Sequence, residues 1–382
     1  MKRIYFDNAA TTAIAPEVID LMSDLMSTHY GNPSSIHREG RESRTVIEQA
    51  RKTIANLIGA SIGEIFFTSG GTESNNMVLR CSVRDLGVKR IITSPLEHHC
   101  ILHTLEAMEA EGQVTVDHVK VDKKGRINLM HLESLLEKNE QKTLVTLMHC
   151  NNEIGTLLDL EKVAEICEAH QVFFHSDTVQ TMGYFPIDVS KMRINFLSGS
   201  AHKFHGPKGV GFIYINGDNI VQPLINGGAQ ERNMRAGTEN LYGIAGMAKA
   251  LQMSYDELAQ KRAHISKVRA HFKSQLQEYF EDIQFNGDHD GAFHYKTLSV
   301  SFPPSPKSEL LLLNLDMLGI TASGGSACSS GVEKGSHVLE GIRAEPSRKS
   351  IRFSFSKYNT IEEVDRVIEK LKTIVELKAT VV

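Results

Sequence analysis

Six short apolar segments, separated by longer amphipathic ones, constrain the fold of this chain more than any other feature of its sequence. The segments are EIFFTS (64–69), RIITSP (90–95), TLVTLMH (143–149), QVFFHSD (171–177), INFLSGS (194–200) and GVGFIYI (209–215). Most are continuously apolar, which is typical of strands buried on both faces. Helical periodicity fills the stretches between them, as at 36–58, 72–86, 99–111 and 160–169. The alternation predicts a mainly parallel α/β sheet with helices on both faces.

The pattern changes after about residue 255. A long amphipathic helix is predicted over 256–281, followed by a strand at 297–302, a helix at 307–318, a strand at 350–356 and a final helix from about 360. This order is typical of a smaller α+β lobe. We therefore expect a large α/β domain over 15–258 and a small domain formed by 1–14 and 259–382. In this division the first dozen residues pack with the small lobe.

Composition narrows the class of protein. The net charge of −4 leaves no basic footprint for nucleic acid or an anionic membrane, and no run reaches the roughly 20 apolar residues of a membrane span. The five cysteines are widely spread and form no CxxC pair, which argues against a disulfide framework and a thiolate zinc site. The apolar stretch before Asp7 is too short for a signal sequence, so we expect a cytoplasmic protein.

The segment TSGGTESNN (68–76) lies between a predicted strand and a predicted helix. Gly70 and Gly71 permit a tight turn, and Thr72 adds a hydroxyl at the helix N-terminus, where backbone amides and the helix dipole favour a phosphate. A plain helix cap explains the same residues. The segment lacks the GK[ST] of a Walker loop, and GPKGVG (206–211) misses the GxGxxG spacing of dinucleotide sites.

Two charged side chains follow other predicted strands. Asp177 ends the apolar strand FFHSD, where a carboxylate needs a partner. It can pair with a cationic ring nitrogen or cap the next helix. Lys203 follows the predicted strand INFLSGS (194–200) and is flanked by His202 and His205. It can act as an amine nucleophile or be an ordinary surface lysine.

His98 follows the strand at 90–95 and can serve as a general acid, as a ring-stacking partner or as a structural histidine. A metal cluster of His98, His99 and His103 is disfavoured because no acidic or thiolate set accompanies them. A phosphate cradle, an aspartate, a lysine and a histidine, each after a different strand, together fit pyridoxal 5′-phosphate (PLP). That cofactor needs a Schiff-base lysine and an acid at its ring nitrogen.

At these residues the chain resembles the cysteine desulfurases of the NifS/IscS type, which are fold-type I, class V aminotransferase PLP enzymes. The resemblance runs nearly end to end through YFDNAATT (5–12), GNPSSIH (31–37), FTSGGTESNN (67–76), EHH (97–99), NNEIGT (151–156), HSDTVQ (175–180), GSAHKFHGPKGVG (199–211), MRAGTEN (234–240), GGSACSSG (324–331) and SIRFSFS (350–356). It implies a seven-stranded-type parallel sheet plus a smaller α+β lobe, and a homodimer.

The resemblance also implies residue roles. Lys203 matches the Schiff-base lysine, Asp177 the partner of the pyridinium nitrogen, and Gln180 the partner of the ring hydroxyl. His98 matches the ring-stacking histidine and a proton shuttle. The phosphate ligands match Gly71, Thr72, Ser200, His202 and, from the other subunit, Thr238. The substrate ligands match Asn152, Arg352 and Asn32.

Cys328, in ASGGSACSSG (322–331), matches the catalytic cysteine of the branch with a longer loop. The implied reaction converts L-cysteine to L-alanine and leaves a persulfide on Cys328. The sulfur then passes to an iron–sulfur scaffold or a tRNA-thiolation protein, and Cys328 is a candidate transient iron–sulfur ligand. The segment GVEKGSHVL (331–339) lacks a proline that relatives often carry near Lys334. A selenocysteine lyase, another class V aminotransferase or lyase, and a non-enzymatic sulfur carrier are the alternatives.

Overall fold

The computed structural model describes residues 3–137, 141–306, 308, 310–324 and 335–378. Its strands are β1 Ile4–Tyr5, β2 Ile65–Thr68, β3 Arg90–Thr93, β4 Thr115–His118, β5 Thr143–Thr146, β6 Phe173–Asp177, β7 Phe196–Ser200, β8 Gly211–Ile215, β9 Gln284–Asn286, β10 Thr297–Phe302, β11 Ile320–Thr321 and β12 Lys349–Ser354. Its α-helices are α1 Pro16–Thr28, α2 Arg38–Ile58, α3 Gly71–Leu86, α4 His99–Ala110, α5 Leu129–Glu137, α6 Leu160–Ala169, α7 Gln230–Asn233, α8 Leu241–Asp256, α9 Leu258–Tyr279, α10 Leu311–Met317, α11 His337–Gly341 and α12 Ile361–Ile374. None of these helices is long and apolar enough to cross a membrane.

The large sheet has seven strands in the order β2-β8-β7-β6-β5-β3-β4. β8 runs antiparallel to both of its neighbours, and the other pairs are parallel. All six apolar segments form strands of this sheet, which confirms the predicted mainly parallel α/β architecture. Every residue of β2, β5, β7 and β8 is buried, as the continuous apolar runs indicate.

The edge strand β4 was not predicted from the sequence. Its four residues, TVDH, are exposed or half-buried, and β3 is its neighbour in the sheet. An edge strand with one solvated face carries charged and polar residues, so it lacks the continuous apolar signal of the central strands. The predicted helix at 307–318 is shorter in the structure, at Leu311–Met317, and positions 307 and 309 lie outside the described residues.

The C-terminal strands form a second sheet in the antiparallel order β12-β10-β9. The N-terminal residues contact this part of the chain: β1 pairs with β11, and Asp7 bridges to Ser354. Phe6 adds an aromatic contact, with its ring centroid 4.9 Å from that of Phe355. The chain therefore begins beside the C-terminal sheet and then enters α1.

A buried ion pair fixes the turn at 231–233 against the large sheet. Glu231 accepts hydrogen bonds from Arg51 through both carboxylate oxygens, at 2.7 and 2.9 Å, and one from the backbone N–H of Phe67 at 2.7 Å. Glu231, Arg232 and Asn233 all have positive φ, at 46°, 56° and 65°. The left-handed conformation costs roughly 1–2 kcal/mol per L-residue, so the ion pair offsets strain in this turn.

We predict that Glu231→Ala strongly destabilises the protein, because it leaves the buried guanidinium of Arg51 without its main partner. The expected loss is about 3–5 kcal/mol in the free energy of unfolding, measured by urea denaturation. Glu165→Ala, which removes the exposed partner of Lys162, is the control and should leave the midpoint unchanged. Equal stability of the two variants would contradict the anchoring role of Glu231.

Candidate active site

One cavity of about 370 Å³ lies at the carboxyl ends of the strands of the large sheet. It collects most of the residues that the sequence singled out: Gly71, Thr72, His98, Asn152, Asp177, Gln180, Ser200, His202, Lys203 and Arg352. Ligands of open α/β sheets bind at this end of the strands. The exposed Asn32 lies outside the cavity lining, Thr238 lines a separate pocket, and Cys328 lies outside the described residues.

The N-terminus of α3 forms one wall of the cavity. Gly70 adopts φ 151°, a conformation that favours glycine, and the described chain supplies no side-chain cap to this 16-residue helix. A Cβ on Gly71 would lie 2.7 Å from Cγ2 of Val179, so only glycine permits this close approach. Backbone amides at such a helix start, beside the hydroxyls of Thr72 and Ser200, are suited to bind an anion.

Asp177 lies at the end of β6 and is only 8% exposed. Its Oδ2 accepts a hydrogen bond from Asn75 Nδ2 at 2.7 Å, and its Oδ1 accepts one from the Val179 N–H at 2.9 Å. A turn, and no helix, follows it, so the helix-cap interpretation does not apply. A carboxylate held in this way has acceptor capacity left for a cationic N–H in the cavity.

Lys203 contacts the N-terminal segment. Its Nζ donates to the carbonyl oxygens of Ala9 and Ala10, at 2.7 and 2.9 Å. Gln180 Nε2 donates to the same Ala9 oxygen at 2.9 Å. Lys203 lines the cavity and is only partly exposed, which excludes the surface-lysine interpretation. The role of the two alanine carbonyls was not predicted, because nothing in their sequence marks them.

Two histidines of the cavity are held in their neutral form. His98 precedes α4, and its Nδ1 accepts the N–H of Cys100 at 3.2 Å. Burial lowers the pKa of His98 below its usual value, with the charge of Asp177 opposing the shift and that of Lys203 adding to it. Burial also lowers the pKa of His202 to about 4, and the charges of Lys203 and Lys208 act in the same direction.

Arg352, from β12, brings the C-terminal sheet to the cavity. Its side chain is 2% exposed, and it donates to Asp7 Oδ1 at 2.8 Å and to the Asn152 carbonyl oxygen at 2.9 Å. Within the described part of the chain its buried Nε has no hydrogen-bond partner. A guanidinium with a donor to spare is suited to bind a carboxylate in the cavity.

The histidines at 98, 99 and 103 do not form a metal centre in the described residues. No group of three or more histidine, cysteine or acidic side chains there is arranged to hold an ion. Instead His99 stacks on His103 at 4.8 Å and lies 4.5 Å from the ring of His337. Sequence reasoning missed two further polar residues of the cavity wall, Asn75 and Cys100, which contact Asp177 and His98.

Comparison with known proteins places this geometry in a family context. Residues 4–367 match the family described as aminotransferase class-V. The chain is 41% identical to the cysteine desulfurase IscS of Dictyoglomus turgidum, with 98% of this chain and 97% of that protein covered. A solved NifS-like protein matches with a TM-score of 0.90 at 37% identity, covering 97% and 99% of the two chains. SspA in complex with cysteine matches with a TM-score of 0.81 at 31% identity, covering 94% of this chain and 100% of that one.

We predict that His202 contributes to the loss of stability in acid. Its pKa of about 4 in the folded protein is below that of a histidine in the unfolded chain, so between about pH 6.5 and 4 the unfolded chain binds the extra proton. Stability therefore falls as the pH falls through this window. His202→Gln should flatten the fall of the urea midpoint between pH 6.5 and 4.5 in ligand-free protein. The same substitution at the exposed His118 should not, and an unchanged slope in His202→Gln would contradict the assignment.

Proposed function

Because the chain belongs to the aminotransferase class-V family and, within it, to the cysteine desulfurases, we propose that it removes the sulfur of L-cysteine and passes it on through Cys328. The observation that carries this proposal is the arrangement of Lys203, Asp177 and His98 around one cavity beside the N-terminus of α3. The products are L-alanine and a sulfane sulfur held as a persulfide.

The cavity residues fit pyridoxal 5′-phosphate. The uncapped start of α3, with Thr72, Ser200 and His202, provides donors for a phosphate. Asp177 can accept a further hydrogen bond from a protonated ring nitrogen. Gln180 lies near Lys203, because both side chains donate to the carbonyl oxygen of Ala9. We propose that these residues bind this cofactor and that Lys203 holds it covalently.

When bound, pyridoxal phosphate supplies an electron sink that stabilises negative charge at the substrate Cα. Asp177 would keep the ring nitrogen protonated, and His98 would hold the ring of the bound cofactor. Once the substrate amine replaces Lys203 on the cofactor, the freed Lys203 amine would serve as the base that removes the Cα proton. Its position near the carbonyl oxygens of Ala9 and Ala10 holds that amine at the cavity wall.

Arg352 and Asn152 bind the carboxylate of the substrate in this proposal. Asp7 and the Asn152 carbonyl oxygen orient the guanidinium before the substrate arrives, so little side-chain freedom is lost on binding. These two hydrogen bonds do not use Nε, which is buried and has no partner among the described residues. This arrangement selects amino acids with a free carboxylate.

Cys328 is the proposed nucleophile. Its thiolate attacks the substrate sulfur, so an S–S bond forms while the substrate Cβ–S bond breaks. The electron pair of the broken bond stays with the carbon fragment that becomes L-alanine, and His98 carries a proton for the step. A free cysteine has a pKa of about 8.5, so a base near the cavity must assist its ionisation.

The remaining partners complete the proposal. Thr238 lines a pocket apart from the main cavity. We propose that Thr238 contacts the phosphate bound to a second subunit of a homodimer and that Asn32 contacts the substrate. The sulfur acceptor is an iron–sulfur scaffold or another sulfur-accepting protein in the cytoplasm, and transient iron–sulfur ligation by Cys328 belongs to that transfer. Acceptance of selenocysteine is the second candidate activity.

We predict that Cys328→Ala abolishes sulfide release from L-cysteine in the presence of a thiol reductant while cofactor absorbance is retained. The variant lacks the atom that accepts the sulfur but keeps every cavity residue. Mass spectrometry of the wild type after incubation with L-cysteine alone should find one added sulfur on Cys328. Cys167→Ala, at a buried site in α6, is the matched control and should keep full activity. Full sulfide release by Cys328→Ala would refute the desulfurase mechanism.

We predict that Arg352→Lys raises the KM for L-cysteine by roughly tenfold or more, because an ammonium cannot reproduce the guanidinium fork. The control is Arg348→Lys, another buried arginine just before β12, which pairs with Asp282 and does not line the cavity. Steady-state kinetics of both variants, with cofactor occupancy checked by absorbance, separates binding from folding. A KM unchanged in Arg352→Lys would contradict carboxylate recognition by this side chain.

A further inference from the structure

Cys100 lies in the cavity wall between His98 and Asp177, and the proposed reaction gives it no role. Its Sγ is 3.0 Å from Nδ1 of His98 and 3.2 Å from Nδ2 of Asn75. Asn75 Nδ2 is in turn 2.7 Å from Oδ2 of Asp177. A continuous set of hydrogen bonds therefore joins the histidine on one side of the cavity to the carboxylate on the other.

The two ends of this set, His98 Nδ1 and the Asp177 carboxylate, both accept hydrogen bonds, and this determines which atoms between them donate. The backbone N–H of Cys100 donates to His98 Nδ1, so neutral His98 carries its proton on Nε2. Since Nδ1 can only accept, the Cys100 thiol also donates to it, and the thiol and the backbone N–H share its one lone pair. The Asn75 amide donates to the sulfur and to Asp177, because a carboxylate only accepts. Every bond then has one donor and one acceptor.

The environment of Cys100 argues against a second sulfur-accepting nucleophile. Burial raises the pKa of its thiol to about 12, and the negative charge of Asp177 acts in the same direction. The thiolate is the reactive form, so a thiol that stays protonated is a poor nucleophile. Its value in the cavity is as a small hydrogen-bond donor.

We propose that Cys100 is a positioning residue: its thiol donates to Nδ1 and so fixes the neutral His98 ring with its proton on Nε2, and through Asn75 it keeps the Asp177 carboxylate in place. This inference rests on the proposed function for its catalytic consequence, since His98 and Asp177 act there on the cofactor and substrate. The hydrogen-bond arrangement itself is a property of the chain without ligand.

The groups around His98 show in which direction its pKa moves when the Cys100 thiol is removed. Burial, Lys203, His337 and His103 favour the neutral imidazole, and Asp177 favours the protonated one. A thiol that donates to Nδ1 also stabilises the neutral imidazole, because this hydrogen bond is lost when Nδ1 is protonated. Removal of the thiol therefore raises the pKa of His98.

The test compares Cys100→Ala with Cys100→Ser in ligand-free protein carrying ¹³C,¹⁵N-labelled histidine. His98 resonances are identified by their absence in His98→Gln. In the wild type the ring nitrogen shifts should report the Nε2–H form. Cys100→Ala should raise the pKa of His98 by roughly half a unit or more, whereas the serine hydroxyl should restore a value near that of the wild type. Cys167→Ala should match the wild type.

A second readout uses the enzyme loaded with pyridoxal phosphate. Cys100→Ala should move the acid limb of the kcat/KM pH profile to higher pH, with Cys100→Ser near the wild type. An unchanged His98 pKa in Cys100→Ala, equal shifts in the alanine and serine variants, or an added sulfur on Cys100 after incubation with L-cysteine would each overturn the proposal. Failure of the desulfurase assignment is separate, because it appears as a wild type that releases no sulfide.

Discussion

The N-terminal segment around Ala9 and Ala10 is the constraint that positions the cavity, and in the ligand-free chain Lys203 Nζ donates to the carbonyl oxygens of both residues. The same N-terminal segment pairs with β11, bridges to β12 through Asp7 and supplies the carboxylate partner of Arg352. One short stretch of chain thus ties the strand ends of the large sheet to the C-terminal sheet. The two positively charged side chains of the cavity are placed relative to each other by this segment.

Burial favours the neutral form of two histidines of the cavity. It depresses the pKa of His98 and His202, so both imidazoles stay neutral near Lys203. Asp177 keeps its place through two donors and remains an acceptor. The cavity therefore combines one oriented carboxylate with neutral imidazoles and an anion-binding helix start, and this is the set of groups that a phosphate-bearing, cationic ring requires.

Much of this arrangement was predictable from the sequence, and the exceptions have physical causes. Strands buried on both faces are rich in apolar residues, so β2, β3 and β5 to β8 could be predicted, whereas the half-exposed β4 could not. Polar residues that directly follow buried strands, such as Asp177, converge because parallel strands end at one edge of the sheet. Asn75 and Cys100 were not predicted, because their importance lies in contacts between residues distant in sequence. Asn75 bonds to Asp177, 102 positions away, and Asn75 of α3 bonds to Cys100 of α4.

The most direct test of the account is to identify the lysine that holds the cofactor. Protein purified with pyridoxal phosphate is reduced with borohydride, digested and mapped by mass spectrometry. The account predicts that the reduced cofactor is attached to Lys203 alone and that absorbance of the bound cofactor is bleached in proportion. Attachment to Lys296, a fully buried lysine whose Nζ lies 4.1 Å from the ring of Tyr184, or an unmodified Lys203 in a protein that retains the cofactor, would contradict it.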